Sequence, residues 1–135
     1  SIMKPVAMAI LDIDDFKNVN DGHGHLAGDD ILVKIARMIK NISDEQVIVS
    51  RWGGEEFLVF AYGEKNYDVL KDSLIDLVNG ISGFGFSYKE VIINTTVSIG
   101  LTEYQKDDSI DDMVLRADNY LYQAKDNGKN QLLGD

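Results

Sequence analysis

Cysteine is absent from the chain, which excludes disulfides, thiolate metal sites and a cysteine nucleophile. The same absence suits a reducing compartment, and a cytoplasmic location is the expectation. Proline occurs once, and the apolar fraction is 44%, so compact α/β structure is expected in place of disorder. Basic charge is scarce: 13 Lys and Arg face 23 Asp and Glu, for a net charge of -10. General binding to a nucleic-acid polymer is thereby excluded, because it needs a basic stripe. An anionic ligand remains admissible where metal ions and a few local lysines offset the field. Long hydrophobic runs are also missing. The longest, Pro5 to Leu11, is far too short to cross a bilayer and nothing reads as a signal peptide, so no membrane contact is expected of this segment. A length of 135 residues fits one domain with a sizeable core, expected to span residues 1–135. A chain that starts at Ser1 is expected to be a piece of a longer one, its anchor or sensor lying elsewhere.

What is present is an ordered series of periodic segments. Val6 to Asp12 is apolar on both faces, with Val6, Met8 and Ile10 alternating against Ala7, Ala9 and Leu11, as in a central covered strand. Asp12-Ile13-Asp14-Asp15-Phe16-Lys17 then places carboxylates at its C-terminal edge, where open α/β sheets bind ligands. Asp14 or Asp15 is positioned to cap a short helix through Val19, stopped by Asn20-Asp21-Gly22. After a loop, a helix is predicted from near Asp29, with Ile31, Leu32, Ile35, Ala36, Ile39 and Ile42 on one face. A second is predicted over Asn66 to Asn79, with Gly80 and Gly83 as breakers. Phe84 to Tyr88 reads as an edge strand and Val91 to Leu101 as a longer one, with Asn94, Thr96 and Ser98 on its polar face. Ser109 or Asp108 starts the last helix, whose buried stripe is Ile110, Met113, Val114, Ala117, Leu121 and Ala124, and Asn130 to Leu133 can pair at an edge.

Between the first two long helices, Arg51-Trp52-Gly53-Gly54-Glu55-Glu56-Phe57 joins two apolar runs, Val47 to Ser50 and Phe57 to Tyr62, as the turn of a β-hairpin. A carboxylate on a hairpin tip is ordinarily a solvated turn residue; the second acidic cluster at Asp12 gives it more weight. The element order yields an α+β sandwich with helices covering a mostly antiparallel sheet, in which Asp12 and Glu55 converge. Carboxylates and a carbonyl on rigid strand ends suit a hard divalent ion and phosphoryl or nucleotidyl transfer. His23 and His25 lack an evident third ligand and are read as packing and hydrogen-bonding residues, and Trp52 as packing; Arg51 is read as a structural or phosphate-adjacent ion pair.

Taken together, the Gly53-Gly54-Glu55-Glu56-Phe57 turn, the Asp12 to Lys17 segment, Asn20-Asp21, Gly24-His25, Gly28-Asp29, Arg51, Arg116-Ala117-Asp118, Tyr122-Gln123-Ala124-Lys125 and Gly128-Lys129-Asn130 resemble the GGDEF domain of the diguanylate cyclase family, in its GGEEF variant. The resemblance covers nearly the whole chain. It implies an adenylyl-cyclase-like palm fold and condensation of two GTP into cyclic di-GMP, with Mg²⁺ or Mn²⁺, two ions per active site. By that resemblance Asp12, the Ile13 carbonyl and Glu55 hold metal, and Glu55 or Glu56 takes the proton of the attacking 3′-hydroxyl. The amides from Asp15 through Phe16 to Lys17, at a helix start, cradle phosphates together with Lys125 and Lys129, and Lys17 adds charge near the transition state. Asn20 and Asp29 read guanine, since a carboxylate accepts from N1–H and N2–H of guanine but faces an acceptor at N1 of adenine. Helix capping is the competing reading for Asp29, and a solvated helix end for both lysines.

Two departures stand out. The family's Arg-x-x-Asp inhibitory positions carry Asp44 and Val47 here, so no product feedback through that site is expected. The helix and Asp-x-Leu-Thr-x-Leu segment that usually precede the first strand do not fall within residues 1–135. Catalysis in the family requires a homodimer, one GTP per protomer, normally arranged by an upstream sensory or regulatory domain. A silent module that binds GTP and regulates a neighbour is the alternative, and a pure interaction domain is the remoter one.

Overall fold

The computed structural model describes residues 3–135. Strand β1 (Ala7–Ile13) is its axis: every residue is buried except the half-buried Asp12. Alternation sends Ala7, Ala9, Leu11 and Ile13 into one apolar cluster and Met8 and Ile10 into another. The first face packs against α1 (Phe16–His23), α2 (His25–Lys40) and α3 (Tyr67–Ser82); the second packs against α4 (Ile110–Asp126) through Met113, Ala117 and Leu121. Around β1 lie β2 (Val47–Gly53), β3 (Glu56–Ala61), β6 (Val97–Glu103) and β7 (Leu132–Gly134), in the order β2-β3-β1-β6-β7. Among the described residues only the β6–β7 pair is parallel. A separate ribbon joins β4 (Phe86–Tyr88) to β5 (Val91–Ile93). Fold class, hairpin and terminal edge strand thus agree with the expectation. Among the described residues no helix is long and apolar enough to cross a membrane.

Helix α4 is fixed with unusual closeness. Ser109 caps it, accepting from the Asp112 N–H at 3.0 Å while its own N–H donates to Asp112 Oδ2 at 2.9 Å. Beneath the helix, Gly100 of β6 leaves no room for a side chain: a Cβ there would meet the Ala117 carbonyl oxygen at 2.0 Å and the Leu121 nitrogen at 2.4 Å. The helix backbone therefore rests directly on the sheet, and this sets where its C-terminal Lys125 arrives.

Several local expectations are corrected. Helix α1 runs through Asn20-Asp21-Gly22 to His23, and the chain turns at Gly24, whose φ of 93° suits glycine. Helix α2 accordingly begins at His25, not near Asp29. Gly80 lies inside α3, because the buried stripe Leu70, Leu74, Leu77, Val78 and Ile81 continues past it; packing outweighs the roughly 1 kcal/mol cost of a helical glycine. The long strand proposed for Val91 to Leu101 divides into β5 and β6, with residues 94–96 in neither. At that break the Thr96 carbonyl accepts from the Asp14 N–H at 2.8 Å, and the Thr96 hydroxyl turns to the Asp14 carboxylate. Phe84 stays outside β4 and Ile110 is partly exposed.

Candidate active site

The GGEEF turn is carried by the β2–β3 hairpin. A register shift between Arg51 and Gly53 and a φ of 39° at Gly54 let the chain reverse, with Glu55 in the turn and Glu56 as the first residue of β3. Antiparallel pairing then sets Glu56 opposite Asp12 on one side of β1, while Ser98 of β6 lies opposite it on the other. The Ile13 N–H donates to the Glu55 carbonyl at 3.3 Å. The two acidic segments, more than forty positions apart in sequence, are thus neighbours by strand register alone.

Lys125 of α4 joins them. Its Nζ lies 2.8 Å from Asp12 Oδ2 and 3.4 Å from Asp14 Oδ1. The other oxygen, Asp12 Oδ1, is buried and has no hydrogen-bond partner. Burial, with the charges of Glu55 and Asp14 adding to it, raises the Asp12 carboxyl above its ordinary value despite the lysine. Glu56 is raised as well, first by burial and then by Asp12, Asp118 and Glu55. Burial pulls the Lys125 ammonium down, but the carboxylates of Asp12 and Asp14 more than reverse this and leave it raised.

Asp14 and Asp15 do not cap α1 through their side chains. Asp14 is 4% exposed and accepts from the Thr96 hydroxyl at 2.7 Å, the Ser98 hydroxyl at 2.7 Å and the Asn130 N–H at 3.0 Å. It is a buried clamp between β1, β6 and the segment leading to β7. Reading the strand's polar positions identified Thr96 and Ser98 but not what they hold. Asp15 sits at the α1 N-terminus with φ 53° and pairs with Lys129 at 2.7 Å. Phe16 is buried and Lys17 exposed, both in the first turn of α1, where backbone N–H groups have no acceptor within the helix.

On the facing helix pair, Asn20 of α1 rests over Gly28 of α2. A Cβ at Gly28 would lie 1.8 Å from Asn20 Oδ1, which is buried and unpartnered. Asp29 is exposed in the second turn of α2, so it cannot be that helix's cap. Trp52 is 58% exposed and does not pack into the core; with Glu56, Val114, Leu115 and Asp118 it lines a cavity of about 440 Å³. Among the described residues Arg51 forms no ion pair, and instead its Nε and Nη2 donate to the Gly54 carbonyl at 3.0 and 2.7 Å, bracing the turn. Asp118 had no role in the sequence reading, yet it shares that cavity with Glu56. Its signal was only the Arg116-Ala117-Asp118 motif. Among the described residues no group of three or more His, Cys, Asp or Glu side chains is arranged for a metal ion, so the Asp12, Ile13 and Glu55 set offers two carboxylates and one carbonyl. At the remote Arg-x-x-Asp positions, the Asp44 carboxylate accepts from the Gln46 and Val47 N–H groups and pairs with Lys65, closing a turn.

Comparison with known proteins agrees with this geometry. A family profile described as "Diguanylate cyclase, GGDEF domain" matches residues 2–131. Diguanylate cyclase A of Treponema denticola is 34% identical over 128 residues, which is 94% of this chain and 34% of that protein. The GGDEF domain of DgcB from Caulobacter crescentus, solved in complex with c-di-GMP, superposes with a TM-score of 0.90 at 29% identity, covering 95% of this chain and 76% of the other. The active GGEEF domain of a diguanylate cyclase from Vibrio cholerae gives 0.85 at 26% identity, covering 97% and 83%. The chain spans about a third of the length of the curated cyclases it matches. With its palm-like sheet, its hairpin signature and a profile match over nearly its whole length, this chain belongs to the GGDEF domain family of diguanylate cyclases.

Proposed function

We propose that residues 1–135 form a catalytic domain that condenses two GTP into cyclic di-GMP with release of two pyrophosphates, working in the cytoplasm as a homodimer with one GTP per protomer. The observation that carries this reading is the convergence of Asp12, Ile13, Glu55, Glu56 and Lys125 at one edge of the sheet, with a buried Asp12 oxygen left unpartnered. That orphaned oxygen and the all-oxygen donor set fit a hard divalent ion: Asp12, the Ile13 carbonyl and Glu55 would hold Mg²⁺ or Mn²⁺, two ions per site. When bound, the ions supply neutralisation of phosphate charge and a more acidic attacking hydroxyl.

The chain's own residues do the rest. The amides at the α1 start, with Lys125 and Lys129, hold the triphosphate, and Lys17 adds positive charge beside it. Asn20 and Asp29 select guanine; the loss of the capping alternative for Asp29 supports this. The 3′-oxygen of one nucleotide attacks the α-phosphorus of the other. Its proton passes to Glu55 or Glu56, the bond to the β-phosphate breaks, and pyrophosphate leaves. The raised affinity of Glu56 for a proton supports its part in that transfer. Repetition across the twofold axis closes the ring. With Asp44 committed to a local turn, feedback by product at the Arg-x-x-Asp positions is not part of this reading.

The test is incubation with GTP and Mg²⁺ of the domain fused to a dimerising coiled coil, with product followed by chromatography. Glu55→Gln should reduce product by on the order of 10²–10³-fold, the scale for removing one electrostatic contact to developing charge. Intact GTP binding with no product in the parent would reduce the domain to a silent nucleotide-binding module.

A further inference from the structure

Resting on that metal-site reading, we infer that Lys125 is the resident counter-ion of the site: braced against Asp14, its ammonium holds the Asp12 carboxylate that a divalent ion claims on loading. Ion and nucleotide then bind as a coupled pair, because the phosphates draw the lysine away and free the carboxylates.

Charge counting leads to this. Asp12 and Asp14 bring two carboxylates to the corner, Glu55 and Glu56 add negative charge that acts on Asp12, and Lys125 is the only ammonium paired with Asp12 and Asp14 among the described residues. The neighbouring cation, Lys129, is paired with Asp15. One ammonium reaches a single oxygen of Asp12, and the other stays buried without a partner. A monovalent point charge on a flexible stem is thus an incomplete substitute for a divalent ion with several coordination positions. The corner itself does not depend on the lysine, since Thr96, Ser98 and the Asn130 N–H hold Asp14 in place. Lys125 is also in the last turn of α4, so its head can swing from carboxylate to phosphate without moving the helix. In the nucleotide-free protein an entering ion must displace the ammonium against two carboxylates. With triphosphate present, that cost is offset by the new phosphate contact.

The test titrates Mn²⁺ into the nucleotide-free chain, followed by electron paramagnetic resonance, for the parent and for Lys125→Met and Lys125→Gln. Mn²⁺ should bind about tenfold or more tightly to either variant, because a cation crowded beside a cation is removed. Addition of GTP should tighten Mn²⁺ binding in the parent by a larger factor than in the variants. Equal or weaker Mn²⁺ affinity in a folded variant overturns the inference, whereas metal binding by the GTP-loaded parent leaves the cyclase reading standing. Absence of Mn²⁺ binding in the parent even with GTP overturns both. Should neither variant fold, the parent alone decides: Mg²⁺ titrated into ¹³C-lysine-labelled protein should move the Lys125 ε-carbon resonance toward its solvated position. A resonance that stays in place at saturating Mg²⁺ refutes displacement.

Discussion

Helix α4 presents a cation to carboxylates at two places nine residues apart, and the two encounters are built differently. Near its start, Arg116 donates to both oxygens of Asp108, to the Thr102 hydroxyl and to the Glu103 carbonyl. Asp108 also accepts from the Gln105 N–H, and Asp135 closes the surround by accepting from Thr102 and from the Glu103 N–H. Cation and anion are matched there, and the Arg116 hydrogen bond holds the Asp108 carboxyl below its ordinary value. Near the end of α4, Lys125 meets a surplus of carboxylates, two of which, Asp12 and Glu56, are raised, and one buried oxygen has no partner. A balanced network spends its donors on holding the fold. An unbalanced one on rigid strand ends keeps binding capacity for a ligand that brings the missing charge.

Four perturbations sharpen that contrast. The largest loss of stability is expected from Asp14→Ala, since it strands two hydroxyls and a backbone N–H beside Lys125. Urea unfolding should register about 3–5 kcal/mol, the scale for breaking a buried charged network. Asp14 would then stand as structural within the functional end, and a loss below 1 kcal/mol would remove it from that role. Next comes Gly100→Ala, which forces a methyl against the α4 backbone between the two encounters; about 1–3 kcal/mol is expected, with both cation contacts shifted together.

The third perturbation separates the ends by their response to metal. Arg116→Met and Lys125→Met should each lower the melting temperature, Lys125→Met by the equivalent of about 1–3 kcal/mol. Millimolar Mg²⁺ should restore stability to Lys125→Met but not to Arg116→Met, because only the former leaves a corner that an ion can fill. Equal rescue, or none in either, would erase the distinction. The smallest effect is expected for Glu56→Gln. Folding raises this carboxyl above its usual value of 4.5, so the folded chain binds the proton more tightly than the unfolded chain. Stability from this group is therefore lost as pH rises through the raised value. Replacement by the neutral amide should raise the melting temperature by about 1–3 °C at pH 8, a gain that vanishes below the ordinary carboxylate range.

Much of the candidate site was legible in the sequence. The abrupt acidic end of an apolar strand marked Asp12, and the Gly-Gly turn marked Glu55 and Glu56, because both signals are local in sequence. Roles that depend on what lies across the sheet were not legible. Asp14 read as a helix cap, since Asp before a short helix usually is one, but the hydroxyls that claim it come from Thr96 and Ser98, more than eighty residues away. Asp29 read as a helix start because the stretch from Asp21 onward looks loop-like; Gly24 had already made the turn. Trp52 read as a packing residue, yet the bulged hairpin tip holds it out beside α4.

The sequence by itself determined the two-faced central strand, the hairpin, the helical stripes and the carboxylates at one edge, because these follow from periodicity and turn chemistry within short windows. Only the tertiary structure decided which cation meets which carboxylate. That pairing depends on strand register and on the closeness of α4 to Gly100, quantities set by packing between segments distant in the chain.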